Sequence, residues 1–348
     1  TPVLGSLDQG DDERTRSTTV QKDYVDLNEN DGGYVTGMGL LDSAPYIFKY
    51  RQTYKLMPTG DVTTPYLPRR RSNSIGCVRH QTIVLAEDQG GQPALYFLSH
   101  KGPYRIGPAG LQYLGRDNED VWTTMNLAAT NEVGHTVYHS DKHQVWFWVA
   151  TGSANDPDVK MVFDVQLGQT DEKNQVRGGW SKHDGDTAAA RGSVMFSNTL
   201  GTSMSRDLKP HICRSSGVTI LKCDTSTTND AGTNFQAYVK TKPILTGSKL
   251  GINIAMKQAM LIAQTASGVT ITQTIDRDFG LESQTGTVLL TASAAGESRI
   301  YKKIEAGQMA RAGILQLQWG DASAASNQWT LDAVVAPLHE AQTVLTAL

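Results

Sequence analysis

The sequence predicts an all-β protein: a β-propeller-like region followed by a C-terminal antiparallel region that is sandwich-like or blade-like. Three observations carry that expectation. Short runs rich in Val, Ile, Tyr, Phe and Trp recur at intervals of about ten residues, with Gly, Asn, Asp and Pro between them. No stretch up to Asp224 holds an i, i+3, i+4, i+7 apolar pattern for three turns. The third is the segment HQVWFWVATG, His143 to Gly152, which places Trp146, Phe147 and Trp148 in a row although only 7% of the chain is aromatic. A strand with one wet face alternates, because successive side chains point to opposite sides of the sheet. This one does not alternate, so it must be covered on both faces.

The elements follow in order. Residues 1–35, with DQGDDERTRSTT and then NENDGG, are too polar to bury much apolar surface and read as an extended arm or loops. From there YIFKYRQTYKL, TIVLAED, ALYFLSH, HTVYHS, QVWFWVA, VKMVFDV, GSVMFS, HICRSS and VTILKCD read as strands. Turn signals separate them at Gly90-Gly91, Lys101-Gly102, Asp141-Lys142, Asn155-Asp156-Pro157 and Ser216-Gly217. NEDVWTTMNLAA is the best helical candidate, and it is short.

In the second half FQAYVKTKPIL, KQAMLIAQ, GVTITQTIDRD, GTVLLTA, SRIYKKIEA, AGILQLQWG and WTLDAVVAPL alternate cleanly. Val269, Ile271 and Ile275 oppose Thr270, Thr272 and Thr274, and Leu315, Leu317 and Trp319 oppose Gln316 and Gln318. Such strands belong to sheets with one wet face. The contrast places a soft boundary near residues 230–240, giving an arm over 1–35, a propeller-like domain over 36–234 and a C-terminal antiparallel region over 235–348.

A propeller covers its middle strands twice, because each four-stranded blade packs between two others. ALYFLSH, QVWFWVA and KMVFDV suit such positions, with a buried central strand of an ordinary sandwich as the alternative.

Composition excludes several classes. A net charge of -3, a pI near 6.2 and a mean hydropathy of -0.35 argue against a broad surface for nucleic acid phosphates. No run approaches the ~20 apolar residues of a membrane helix. No basic-then-apolar leader is seen, and the chain opens at Thr1 rather than Met, so its true start stays open. The basic cluster Arg69-Arg70-Arg71 reads as a solvated loop after Pro68, with an electrostatic contact as the rival reading. Cys77, Cys213 and Cys223 form no CxxC pair and suit buried, inert thiols.

A search for chemistry yields no catalytic, cofactor or metal residues. His135, His139 and His143 stand at i, i+4 and i+8, but HTVYHSDKHQVW reads as strand, turn, strand, which keeps three imidazoles apart. Asp120, Asp164, Asp224, Asp276 and Asp278 fall at strand ends or turns, where Asp makes its own local hydrogen bonds. Asp156 and Asp158 in SANDPDVK suit a hairpin turn better than a calcium loop. Nucleophile-elbow, phosphate-loop and dinucleotide motifs are not found.

Read together, VKMVFDVQLGQTDEKNQVRGGWSKHDG, with Asp164, Gly168 and Trp180-Ser181, followed by YVKTKPIL, GVTITQTIDRDFGLE and LQWGDASAASNQWTLDAVVAP, resembles the β-propeller-containing tail and connector proteins of tailed bacteriophages, the packaged-DNA stabilisation or tail-hub family. The resemblance spans about residues 75–345; the chain is short for that family. It implies a structural virion protein without enzymatic activity, made in the host cytoplasm and built into the tail or head-to-tail connector as a homo-oligomeric ring, a hexamer. Other tail or connector proteins and double-stranded DNA in the channel, without sequence-specific contact, are the partners it implies. The loops DTAAARGS and NTLGTSMSRD and the N-terminal arm are then docking elements. The main alternative is a glycan-acting or glycan-binding propeller, hydrolase or lectin, with a pocket lined by Trp146 or Trp180 beside two carboxylates. A peptide-binding scaffold propeller is a third reading, with no feature in its favour.

Overall fold

The structure, a computed structural model, describes residues 33–61, 64–170, 176–184, 188–197, 208–215, 220–223, 238–241, 244–245, 252–265, 268–277, 282–291, 300–312, 314–321, 329–335 and 339–342, together with residues 25 and 27. Of the arm expected over 1–35, nearly all lies outside these residues. The described chain contains 26 strands and two short α-helices, so the fold is all-β. It divides into two compact units, Thr1–Thr225 and Ser226–Leu348, with the division nine residues before the boundary expected at 234.

The first unit is a succession of antiparallel meanders. β1 (Val35–Leu41), β2 (Ala44–Lys49), β3 (Thr53–Pro58) and β4 (Tyr66–Ser72) form one sheet in chain order. β5 (Val84–Glu87), β6 (Pro93–Ser99), β7 (Gly102–Gly107) and β8 (Gly110–Tyr113) form the next, again in order. The third holds β9 (His135–His139), β10 (Gln144–Val149), β11 (Val159–Asp164) and β14 (Trp180–His183); the two-residue strands β12 (Gln169–Thr170) and β13 (Val176–Arg177), which fall between the last two in the chain, pair with each other as a separate two-stranded sheet. β15 (Ala190–Ser197), β16 (Leu208–Arg214) and β17 (Ile220–Lys222) form the fourth.

These sheets pack face to face, which is the propeller-like arrangement. Tyr46 and Phe48 of the first sheet meet Leu95 and Phe97 of the second. The other side of β6 carries Ala94, Tyr96 and Leu98 into a cluster with Val145, Phe147, Val149, Met161 and Phe163 of the third. Trp146 and Trp148 then point the opposite way, into a cluster with Ala190, Ile212 and Cys223 of the fourth. The run Trp146-Phe147-Trp148 therefore alternates between two interfaces, and all three rings are at most 5% exposed. Each ring contributes ~4–6 kcal/mol of gross apolar burial, at ~25 cal/mol per Å² and 150–250 Å². A charge placed at any of these positions would have no water on either face of the sheet.

The close approach of the first two sheets depends on glycine. A Cβ on Gly37 would stand 2.6 Å from Ile83 Cδ1 and 3.1 Å from His80 Cα, so a side chain there would push β1 away from the turn that precedes β5.

Three expectations change in detail. YIFKYRQTYKL is two strands, because the chain reverses at Tyr50-Arg51 and the Lys49 N–H closes the turn on the Gln52 carbonyl at 2.9 Å. NEDVWTTMNLAA splits into α1 (Glu119–Thr123) and α2 (Leu127–Val133), since Met125 breaks out to bridge Thr151 and Asn126 restarts the helix by capping the Ala129 N–H. Arg69, Arg70 and Arg71 lie on β4 and not in a loop; all three are exposed on the edge strand of their sheet, where charge discourages pairing with another chain.

The second unit is a sandwich-like pair of sheets. β18 (Tyr238–Lys240), β24 (Ile314–Asp321), β21 (Val269–Arg277) and β22 (Glu282–Leu290) lie in that order, and β19 (Ile244–Leu245) also pairs with β24. In the other sheet β20 (Ile252–Thr265) has β23 (Ile300–Ala312) on one edge and both β25 (Trp329–Val335) and β26 (His339–Gln342) on the other. Val269, Ile271, Ile275, Leu315, Leu317 and Trp319 face inward as expected and share one core with Met256, Leu261, Ala263 and Ile304.

Candidate functional site

The first strands of the sheets lie against one another: β1 beside β5, β5 beside β9, and β9 beside β15. Where β5, β9 and β15 begin, they enclose a cleft of about 300 Å³ that includes Arg79, His80, Ile83, His135, Arg191 and Ser193 among its walls. Two sheets, through β9 and β15, and the segment that leads into β5 supply its side chains.

Each wall residue is held from behind. The Arg79 carbonyl accepts the Thr82 N–H at 3.1 Å and the Thr82 hydroxyl at 2.7 Å, which fixes the one-turn 3₁₀ segment His80–Thr82. Arg79 Nε donates to Gln81 Oε1 at 2.6 Å. Desolvation holds the Arg79 guanidinium below its ordinary pKa, partly opposed by Glu132. His80 Nδ1 takes the Met38 N–H at 3.4 Å, which ties the turn to β1. Arg191 reaches Asp156 through Nε at 2.5 Å and Nη2 at 3.1 Å, a two-pronged ion pair on the exposed side.

His135 is the buried member, 4% exposed. Its ring stacks on Trp148, the residue opposite it on β10, with centroids 4.7 Å apart and planes 18° from parallel. Nδ1 donates to the Val133 carbonyl at 3.0 Å, because a carbonyl can only accept. Burial pushes the imidazole pKa down to about 4, with lesser influences from Val133 and Arg79, so the ring is neutral near pH 7 and Nε2 is an acceptor. Neither Nε2 of His135 nor the buried Oγ of Ser193 has a partner.

The residues singled out in the sequence fall elsewhere. His139 lies near Trp146 on the same face as His135, while His143 occupies the turn with φ of 51°. No group of His, Cys, Asp or Glu suited to a metal ion occurs among the described residues. Asp164 Oδ1 accepts the N–H groups of Gln166 and Leu167, Asp158 holds Thr151 through its N–H and its hydroxyl, and Asp276 pairs with Lys240 at 3.5 Å. Asp120 is exposed on α1, and Asp224 and Asp278 lie outside the described residues. Trp180 is half-buried, and its indole N–H donates to the Leu114 carbonyl at 2.9 Å.

Two expectations need correction. Cys213 is exposed, not buried: it alternates with the fully buried Ile212 along β16 and so points outward. The second half of the expected loop DTAAARGS is strand, since β15 starts at Ala190; its residues 186–187, and all of NTLGTSMSRD, residues 198–207, fall outside the described set. Sequence reading missed the cleft itself. Arg79, His135 and Arg191 are separated by dozens of residues, and only the order of the sheets brings them together.

No family model and no curated protein matches the sequence. Similar solved structures include an exo-β-1,3-galactanase from Phanerochaete chrysosporium with β-1,3-galactotriose, at 10% identity over 90% of this chain and 81% of that one, with a TM-score of 0.25. A glycoside hydrolase family 43 arabinoxylan arabinofuranohydrolase from Bacillus subtilis follows at 10% identity, 89% and 79% coverage and a TM-score of 0.21. A GH32 β-fructofuranosidase from Bombyx mori gives 9% identity, 88% and 90% coverage and a TM-score of 0.19. The expectation of a protein without enzymatic activity is overturned by these glycoside hydrolases and is given up. At such TM-scores the likeness assigns no activity to this chain, and the fold described above stands on its own strand order.

Proposed function

We propose that the chain is a structural subunit of a bacteriophage tail or head-to-tail connector, a homo-oligomeric ring of six copies that joins neighbouring tail components and surrounds the DNA channel of the virion. The observation that carries this reading is the clamping of Trp146, Phe147 and Trp148 between successive sheets. These aromatic side chains make a stiff body, as an oligomeric ring under mechanical stress requires. Met260 and Val335, cross-strand partners on β20 and β25, are 46% and 56% exposed and offer an apolar pair for a neighbouring subunit to cover.

A second reading, a glycan-acting or glycan-binding protein, is favoured by the polar cleft at the starts of β5, β9 and β15. Electron microscopy of the purified chain separates the two. Rings of one symmetry support the connector reading; dispersed monomers that bind or cleave a glycan overturn it.

A further inference from the structure

The cleft offers two kinds of chemistry side by side. On one side stands Arg79, a partly desolvated cation whose Nε is occupied by Gln81. On another stands the neutral His135, whose Nδ1–H is already given to Val133 and whose Nε2 is left buried as a lone-pair acceptor. Ser193 adds a buried hydroxyl with no partner. A buried polar atom left unpaired is costly, so a ligand that satisfies both recovers that cost. Arg191 is committed to Asp156 and borders the site without being required.

An anion alone does not fit, because an acceptor-only ion has no hydrogen for His135 Nε2. A neutral polyol alone brings no negative charge to the Arg79 guanidinium, whose desolvation outweighs the help it gets from Glu132. We propose that this cleft binds a hydroxylated carboxylic acid of monosaccharide size, a uronic acid being the form that combines both groups. Its carboxylate lies against the Arg79 guanidinium and accepts from Ser193 Oγ, and a ring hydroxyl donates to His135 Nε2. The volume of about 300 Å³ is at the lower end of the range for small-molecule sites. The proposal holds whether or not the chain assembles into rings, and its test does not read assembly.

The experiment is titration calorimetry on the full chain with glucuronate, glucose, acetate and sulfate. Glucuronate is expected to bind, with glucose, acetate and sulfate each about ten-fold weaker or worse, the worth of one lost charge-assisted hydrogen bond. Arg79→Met keeps the aliphatic stem and His135→Phe keeps the stack on Trp148; each is expected to weaken glucuronate about ten-fold, and Ser193→Ala a few-fold. Failure of glucuronate to bind, equal binding of glucose or sulfate, or unchanged affinity in folded Arg79→Met and His135→Phe overturns the assignment. Should a variant melt early, the ligand comparison on the unaltered chain decides alone.

Discussion

The imidazole of His135 lies flat against the indole of Trp148, centroids 4.7 Å apart, with its Nδ1–H fixed on the Val133 carbonyl. That contact keeps a titratable ring in an apolar interface. Its folded-state pKa of about 4 lies below the ordinary 6.5 because burial disfavours the charge.

The sign of the pH effect follows from which state binds protons more readily. Below pH 6.5 the unfolded chain protonates His135 while the folded one does not, so stability falls as pH drops from about 6.5 toward 4 and is fully present above that window. The shift corresponds to ~3 kcal/mol. Chemical denaturation at pH 7 and pH 4 is expected to show a drop in the native chain that exceeds the drop in His135→Phe by about that amount.

Phe147 and Trp148 sit one residue apart on β10 yet serve different interfaces. Truncating either to Ala is expected to cost ~3–5 kcal/mol, the range for large aromatic cavities. Denaturation midpoints check this. A cost under about 1 kcal/mol at either position would mean that its sheet face is open to water.

In the second unit the Trp319 indole N–H donates to Gln273 Oε1 at 2.8 Å, between cross-strand partners on β24 and β21. Gln273 is fully buried among the inward-facing Val269, Ile271 and Ile275, where alternation alone predicts an apolar residue. Trp319→Phe leaves that amide without its donor and is expected to lose ~1–3 kcal/mol. Thermal unfolding followed by tryptophan fluorescence of the remaining residues measures the loss.

The thiols are expected to divide by access. Burial pushes the Cys77 thiol up to about 12, and Cys223 is buried as well, whereas Cys213 points outward. A thiol reagent on the native chain at pH 8 should label one cysteine promptly, identified by mass spectrometry as Cys213, and the other two only after denaturation.

Much of this fold is legible in residue order. Trp146-Phe147-Trp148 announces a strand buried on both faces, and Val269 to Ile275 announces one buried on a single face. Other features leave weaker marks. The break in YIFKYRQTYKL carries no Gly or Pro, only a Tyr50-Arg51 reversal held by backbone bonds, and β26 is a short polar strand that earns its place by pairing with β20. The cleft leaves none at all. Arg79 lies just ahead of the run TIVLAED, His135 opens HTVYHS, and Arg191 sits in what reads as a loop, so their meeting is a property of how the sheets succeed one another.

That succession has a consequence for the way the first unit comes into being. Every meander is complete within its own stretch of chain, so pairing partners emerge from the ribosome close together and in order. Each completed meander nevertheless waits with one greasy side uncovered until its follower arrives, and the longest wait by content falls on the tryptophan side of β10, which needs Ala190 and Ile212 from the fourth sheet. A chain halted before that point would present both indoles to its neighbours, which makes premature termination here a route to clumping.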